Sequence, residues 1–313
     1  QPNFDEKRCH QVVERPGIRR IGHRTHQTQL TFIHYLKDHT MNSRYTLSSR
    51  FGRNQSVLRS ADPLTDEQMM TVVPSIFAEE KHASRSSRYT YIPTIDVLRG
   101  LRKEGFSPFM VCQTRTRDDA KRDHTKHMIR LRHASQINAS EANEVVLLNS
   151  HDGSSSYQML SGVFRFVCAN GMVCGETQSD IRVRHTGNIV DNVIEGAFRV
   201  LDGFELIDTQ RDGMKALTLN QGEQTAFAHA ALALKYETDL TPAPITESQL
   251  LQPKRVADRA GDLWTTFNRV QENIMRGGLQ GRGPTGQRVT TREVKGIDQN
   301  IKLNRALWVL AEE

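Results

Sequence analysis

Apolar positions change their spacing along the chain, and the change divides it. Up to about residue 186, short β-rich runs alternate with short helical ones; beyond it apolar residues recur every three or four positions. In "DPLTDEQMMTVVPSIFAE", Thr65 stands three residues before Gln68 ahead of an apolar run, a capping box that predicts a short helix ended by Pro74. "SRYTYIPTIDVLRGLRKEGF" predicts an extended segment at 89–92, then a helix with Ile95, Leu98 and Leu101 on one face, stopped by Gly105. Residues 107–117 and 143–151 carry β-rich composition and are predicted strands. In "VLLNSHDGSSSYQML", Asp152-Gly153 signals a turn, because Gly accepts positive φ and Asp caps its own backbone. In "FRFVCANGMVCGE", Asn170-Gly171 is either a hairpin turn or the left-handed cap of a helix presenting Val163, Phe164, Val167 and Cys168, and periodicity favours the helix.

The second half reads as helices. Ile189, Val193, Ala197, Val200 and Leu201 share one stripe, Asn220 with Glu223 opens an alanine-rich helix, and Leu263, Phe267, Val270 and Ile274 mark another before Gly277 and Gly278. Residues 238–249 read as a linker and 277–288 as a flexible Gly-rich basic loop. The expected fold class is therefore α+β: a small antiparallel or mixed sheet, then a mostly helical C-terminal part. The expected division is a disordered basic extension over 1–40, foreign to the rest and followed by a plausible start at Met41, an α+β core over 41–215 and a helical region over 216–313.

Composition narrows the class. Of 313 residues 37% are apolar and 25% charged with both signs interspersed, as in a soluble globular chain. No stretch approaches the ~20 apolar residues of a membrane span and the first thirty residues are charged throughout, so a cytosolic protein with no membrane partner is expected. Four scattered cysteines predict free thiols. The net charge of +6 favours an anionic partner such as nucleic acid.

That charge is clustered. Residues 115–133 hold seven cations, Arg115, Arg117, Lys121, Arg122, Lys126, Arg130 and Arg132, against three aspartates; 282–305 holds Arg282, Arg288, Arg292, Lys295, Lys302 and Arg305 against Glu293 and Asp298. Arg forks and mobile basic loops suit phosphate oxygens, so, Arg305 aside, these residues are the expected nucleic-acid contacts. A second possible polar site comprises His124, His127, Asn149, His151, Asp152 and Asn170, which a metal-assisted hydrolase could use. Against it, "HDGSSSY" lacks the nucleophile elbow, and Cys168-x5-Cys174 and His124-x2-His127 lack zinc spacing. No dinucleotide or phosphate-loop motif appears, and no cofactor is expected.

The runs "RYTYIPT", "HTKHMIRLRH", "LLNSHDGSSSYQML", "FRFVCANGMVCGE", "DLWTTFNRVQEN" and "IKLNRALWVLAE" resemble the plasmid- and prophage-borne bacterial proteins of domain-of-unknown-function family 932. The resemblance runs from about Met41 to the end; members continue a little beyond Glu313, which implies a chain shortened there. It implies an intracellular protein of a mobile element and brings no catalytic residue. By analogy it adds a single-strand-annealing architecture that assembles as a homo-oligomer on DNA. A protein-binding inhibitor of host defence is the third reading.

Overall fold

The computed structural model describes residues 57–79, 92–136, 141–175, 180–185, 187–236 and 241–313; the expected arm at 1–40 and residues 89–91 of the extended segment lie outside them. Strands β1 (Val57–Arg59), β2 (Phe106–Gln113), β3 (His127–His133), β4 (Glu141–Asn149), β5 (Tyr157–Arg165) and β6 (Asn170–Val173) pair in chain order, and β7 (Ile181–Val183) pairs with β5. Residues 162–165 of β5 hold β6 and residues 157–159 hold β7, so both lie on the side of β5 away from β4. Every ladder is antiparallel.

The helices are α1 (Asp66–Val72), α2 (Thr94–Lys103), α3 (Ile189–Asp202), α4 (Phe204–Ala216), α5 (Gln221–Tyr236), α6 (Glu247–Leu250), α7 (Leu263–Arg276) and α8 (Ile297–Glu312). A hairpin of β8 (Gln280–Arg282) and β9 (Arg288–Thr290) precedes α8. The fold is α+β with a helical C-terminal part, as expected.

Strand β4 is buried at every position because both sheet faces are covered. On one face Val111, Ile129, Leu131, Val145, Leu147, Tyr157 and Met159 pack with α1, α2 and α3. On the other Met110, Cys112, Met128, Val146, Leu148, Leu160 and Val173 meet Ile297 and Ile301 of α8. A third apolar cluster runs from Val163 and Met172 through Trp264, Phe267, Val270 and Ile274 of α7 to Ala311, joining the sheet to the helical part.

Local signals act where they were read. Gln68 N donates to Thr65 Oγ1 at 3.3 Å and Thr65 N to Gln68 Oε1 at 3.0 Å, closing the capping box of α1. The Asn220–Glu223 pair caps α5 in the same way, and Asp262 Oδ1 accepts from Thr265 N at the start of α7. Asp152 Oδ1 accepts from Ser154 N and Gly153 has φ +82°, so the β4–β5 connection is the expected turn.

Four expectations change. The helix over 163–168 is instead the end of β5 and a turn into β6, with Ala169 at φ +51° in the left-handed position and Asn170-Gly171 inside the strand. The loop at 277–288 holds the β8–β9 hairpin, where Arg282 N donates to Pro244 O at 2.9 Å. That contact ties down residues 241–249 of the expected linker, whose Thr246 caps α6. The strand expected over 107–117 ends at Gln113, and β3 was not expected. Cys112, Cys168 and Cys174 are free, buried thiols. Among the described residues no helix is long and apolar enough to cross a membrane.

Candidate nucleic-acid interface

The first basic run divides at Lys126. Arg115, Arg117, Lys121 and Arg122 are exposed in the β2–β3 connection, the last two on a short 3-10 helix (Asp119–His124). Arg130 and Arg132 are 3% and 2% exposed, which corrects their expected place on a phosphate-contacting surface. Both pair with Glu144: Arg130 Nε with Oε2, and Arg132 Nε with Oε1 at 2.9 Å. Arg130 Nη2 also donates to Met172 O at 2.6 Å, and the Arg132 guanidinium lies 4.2 Å from the ring centres of both Phe109 and Phe164. Because residues 128, 130 and 132 alternate onto the α8 face, these arginines have no outward route.

The half-buried Lys126 lies between these fates. Its Nζ donates to Asp298 Oδ1 at 2.9 Å, tying the β2–β3 connection to the start of α8. That tie brings the two basic clusters together. A cleft of about 650 Å³ opens between the α8 face of the sheet and residues 293–300, lined by Arg115 from the first cluster and Lys295 from the second. Arg59 and Arg276 also line it, anchored by Ala169 O and by Glu272 respectively. Neither belongs to a basic run, so composition gave no signal for them.

The remaining second-cluster cations lie elsewhere. Arg282 and Arg288 are exposed cross-strand neighbours on the β8–β9 hairpin, a like-charge pairing that an anion would relieve. Arg292 is exposed and its carbonyl accepts from Lys235 Nζ at 3.5 Å. Lys302 borders a separate groove of about 850 Å³ between α8 and the sheet, so it does not join Arg115 and Lys295.

The possible polar site is split as well. Asn170 lines the cleft, whereas His127, Asn149 and His151 are 1%, 0% and 0% exposed around Thr94, with His127 and Asn149 on the α2-covered face of the sheet rather than the cleft face. His127 Nδ1 lies 3.3 Å from Thr125 O; a carbonyl only accepts, so Nδ1 carries the proton and Nε2 accepts from the Thr94 hydroxyl at 3.0 Å. Having donated, Thr94 Oγ1 accepts from Asn149 Nδ2 at 3.0 Å and lies 3.1 Å from His151 Nε2. Burial pushes the His127 imidazole down to about 4, against the pull of the Thr125 carbonyl and Asp152. Burial also lowers His151, reinforced by His127, His185 and His124. Two neutral rings locked on one hydroxyl and sealed from solvent make an internal strut and present no base to a substrate. His124 and Asp152 are half-buried beside it, and His124 O accepts from the main-chain N of His151 and of Asp152, both at 3.0 Å. Among the described residues no group of three or more His, Cys, Asp or Glu is placed to hold a metal ion.

The family model for a domain of unknown function (DUF932) matches residues 81–308. UPF0380 protein YfjQ and UPF0380 protein YafZ of Escherichia coli (strain K12) are each 54% identical to the chain over 266 residues, covering 85% of this chain and 96% of each relative. No solved structure matches the chain.

Proposed function

The chain belongs to the DUF932 family, and we propose that it is a non-enzymatic nucleic-acid-binding accessory protein, cytosolic and borne on a mobile element, that holds a single strand by its phosphates. One observation carries the reading: Arg115 and Lys295, 180 positions apart in sequence, line the same cleft. Two exposed cations lining one concave cleft, with only the exposed, weakly competing pair of Lys295 and Glu293 at 3.7 Å beside them, suit a flexible single strand, which bends to bring successive phosphates into it. The mobile-element setting rests on the family resemblance alone.

Binding of a labelled single strand, followed by fluorescence anisotropy at increasing salt, tests this. Log K falls linearly with log[salt], by about 0.7 per neutralised phosphate. The double variant Arg115→Glu, Lys295→Glu flattens the slope by at least one contact while melting at the wild-type temperature. No binding at about 50 mM salt, or binding indifferent to salt, ends the proposal. Assembly on the strand appears in the same titration as cooperativity.

A further inference from the structure

A chain of side-chain amides runs along the cleft in one direction. Asn170 Nδ2 donates to Gln271 Oε1 at 2.7 Å, Gln271 Nε2 donates to Asn304 Oδ1 at 2.8 Å, and Asn304 Nδ2 donates to Asn300 Oδ1 at 2.9 Å. Asn304 Nδ2 also donates to the main-chain Asn300 O at 2.9 Å, which only accepts, so the orientation is fixed at Asn304, and reversing any other amide would set NH₂ against NH₂ or oxygen against oxygen. The relay therefore ends with an acceptor, Asn170 Oδ1, and a donor, Asn300 Nδ2. Both residues line the cleft, and neither atom has a hydrogen-bond partner among the described residues.

The rest of the lining is part polar, with Arg59, Gln113, Arg276 and Glu293, and part apolar. Met110, Met128, Met275 and Ile297 line the same cleft, and thioethers are polarizable surfaces for an aromatic ring. The cleft's volume, about 650 Å³, lies within the range of sites that enclose a small ligand. An apolar patch, one donor, one acceptor and two exposed cations lining the same cleft match the three parts of a nucleotide. We infer that the cleft seats one unpaired nucleobase, its face on the methionines and its polar edge between Asn170 Oδ1 and Asn300 Nδ2, with Arg115 and Lys295 holding the phosphate.

This rests on the nucleic-acid reading and goes beyond it, because phosphate binding alone needs no base. Duplex bases have their pairing edges occupied and stay outside; a single strand, or a free mononucleotide, offers the edge.

The test compares a short single strand with its abasic counterpart of equal length, which keeps every phosphate. The intact strand binds at least about tenfold tighter. Asn300→Asp keeps the oxygen that accepts from Asn304 and removes the donor. It weakens both strands through its added charge and also brings their ratio toward one. The wild-type comparison stands without the variant should Asn300→Asp fail to fold. Adding a mononucleotide separates the sources: displacement of the strand assigns the seat to free nucleotides, and failure to displace assigns it to the strand. Equal affinity for intact and abasic strands overturns the seat and leaves phosphate binding standing. If neither strand binds, the nucleic-acid reading falls and the seat with it.

Discussion

The two halves of the run 115–133 are both rich in cations and have opposite fates. Before Lys126 the cations are exposed on the β2–β3 connection; after it, Arg130 and Arg132 lie inside the sheet with Glu144 between them. Strand geometry makes the difference. A period of two sends 128, 130 and 132 to one face, and here that face is closed by β6 and the C-terminal helices. Room comes from glycine: a Cβ on Gly171 would lie 2.7 Å from Arg130 Cζ, and one on Gly162 2.8 Å from its Nη2. Charge density alone therefore does not mark a binding surface; a cation serves a partner only where the chain leaves it a path to solvent.

The largest expected effect tests that contrast. Arg130→Ala leaves Glu144 buried with only Arg132 to neutralise it and costs about 3–5 kcal/mol in urea unfolding, whereas Arg115→Ala changes stability by less than about 0.5 kcal/mol. Equal costs for the two would break the comparison.

Next is the pH response of the buried half, to which His127 belongs. Its folded pKa of about 4 lies below the ordinary 6.5, so the unfolded chain binds the proton first. The stabilising contribution is complete above pH 6.5 and shrinks as pH falls toward 4, by roughly 3 kcal/mol from His127 alone. Lowered His151 adds in the same direction. Urea midpoints measured between neutral pH and the acid limit fall accordingly, and His127→Asn removes about one proton from the slope. An unchanged slope in that variant would mean the imidazole is not held neutral.

Much of the fold was legible because its signals are short-range. The capping boxes at Thr65 and Asn220, the Asp152-Gly153 turn and the stripe of α7 each need only residues within a turn or two of one another. Strand β3 does alternate over Ile129, Arg130, Leu131 and Arg132, but its buried arginines belong to a basic run that reads as solvated surface, and that hid it. The site was less legible still. His151 finds its partner Thr94 57 residues earlier, and Asn170 finds Gln271 101 residues later. Basic clusters point to Arg115 and Lys295, yet the ion pair of Lys126 with Asp298 that joins their segments is a property of the folded chain.

The smallest expected effect refines the exposed half. Arg117 and Lys121 belong to the same connection as Arg115 but do not line the cleft. Lys121 faces Asp118 at 3.8 Å, an exposed pair worth at most about 1 kcal/mol, so a phosphate competes with a weak existing partner. Arg117→Ala flattens the salt slope for single-strand binding by about 0.7, one phosphate, and Lys121→Ala by less, with neither moving the urea midpoint. If both leave the slope at its wild-type value, the strand touches the protein only through the cleft. The division at Lys126 then gives way to a narrower one, between cations that border the cleft and cations that merely share the surface with it.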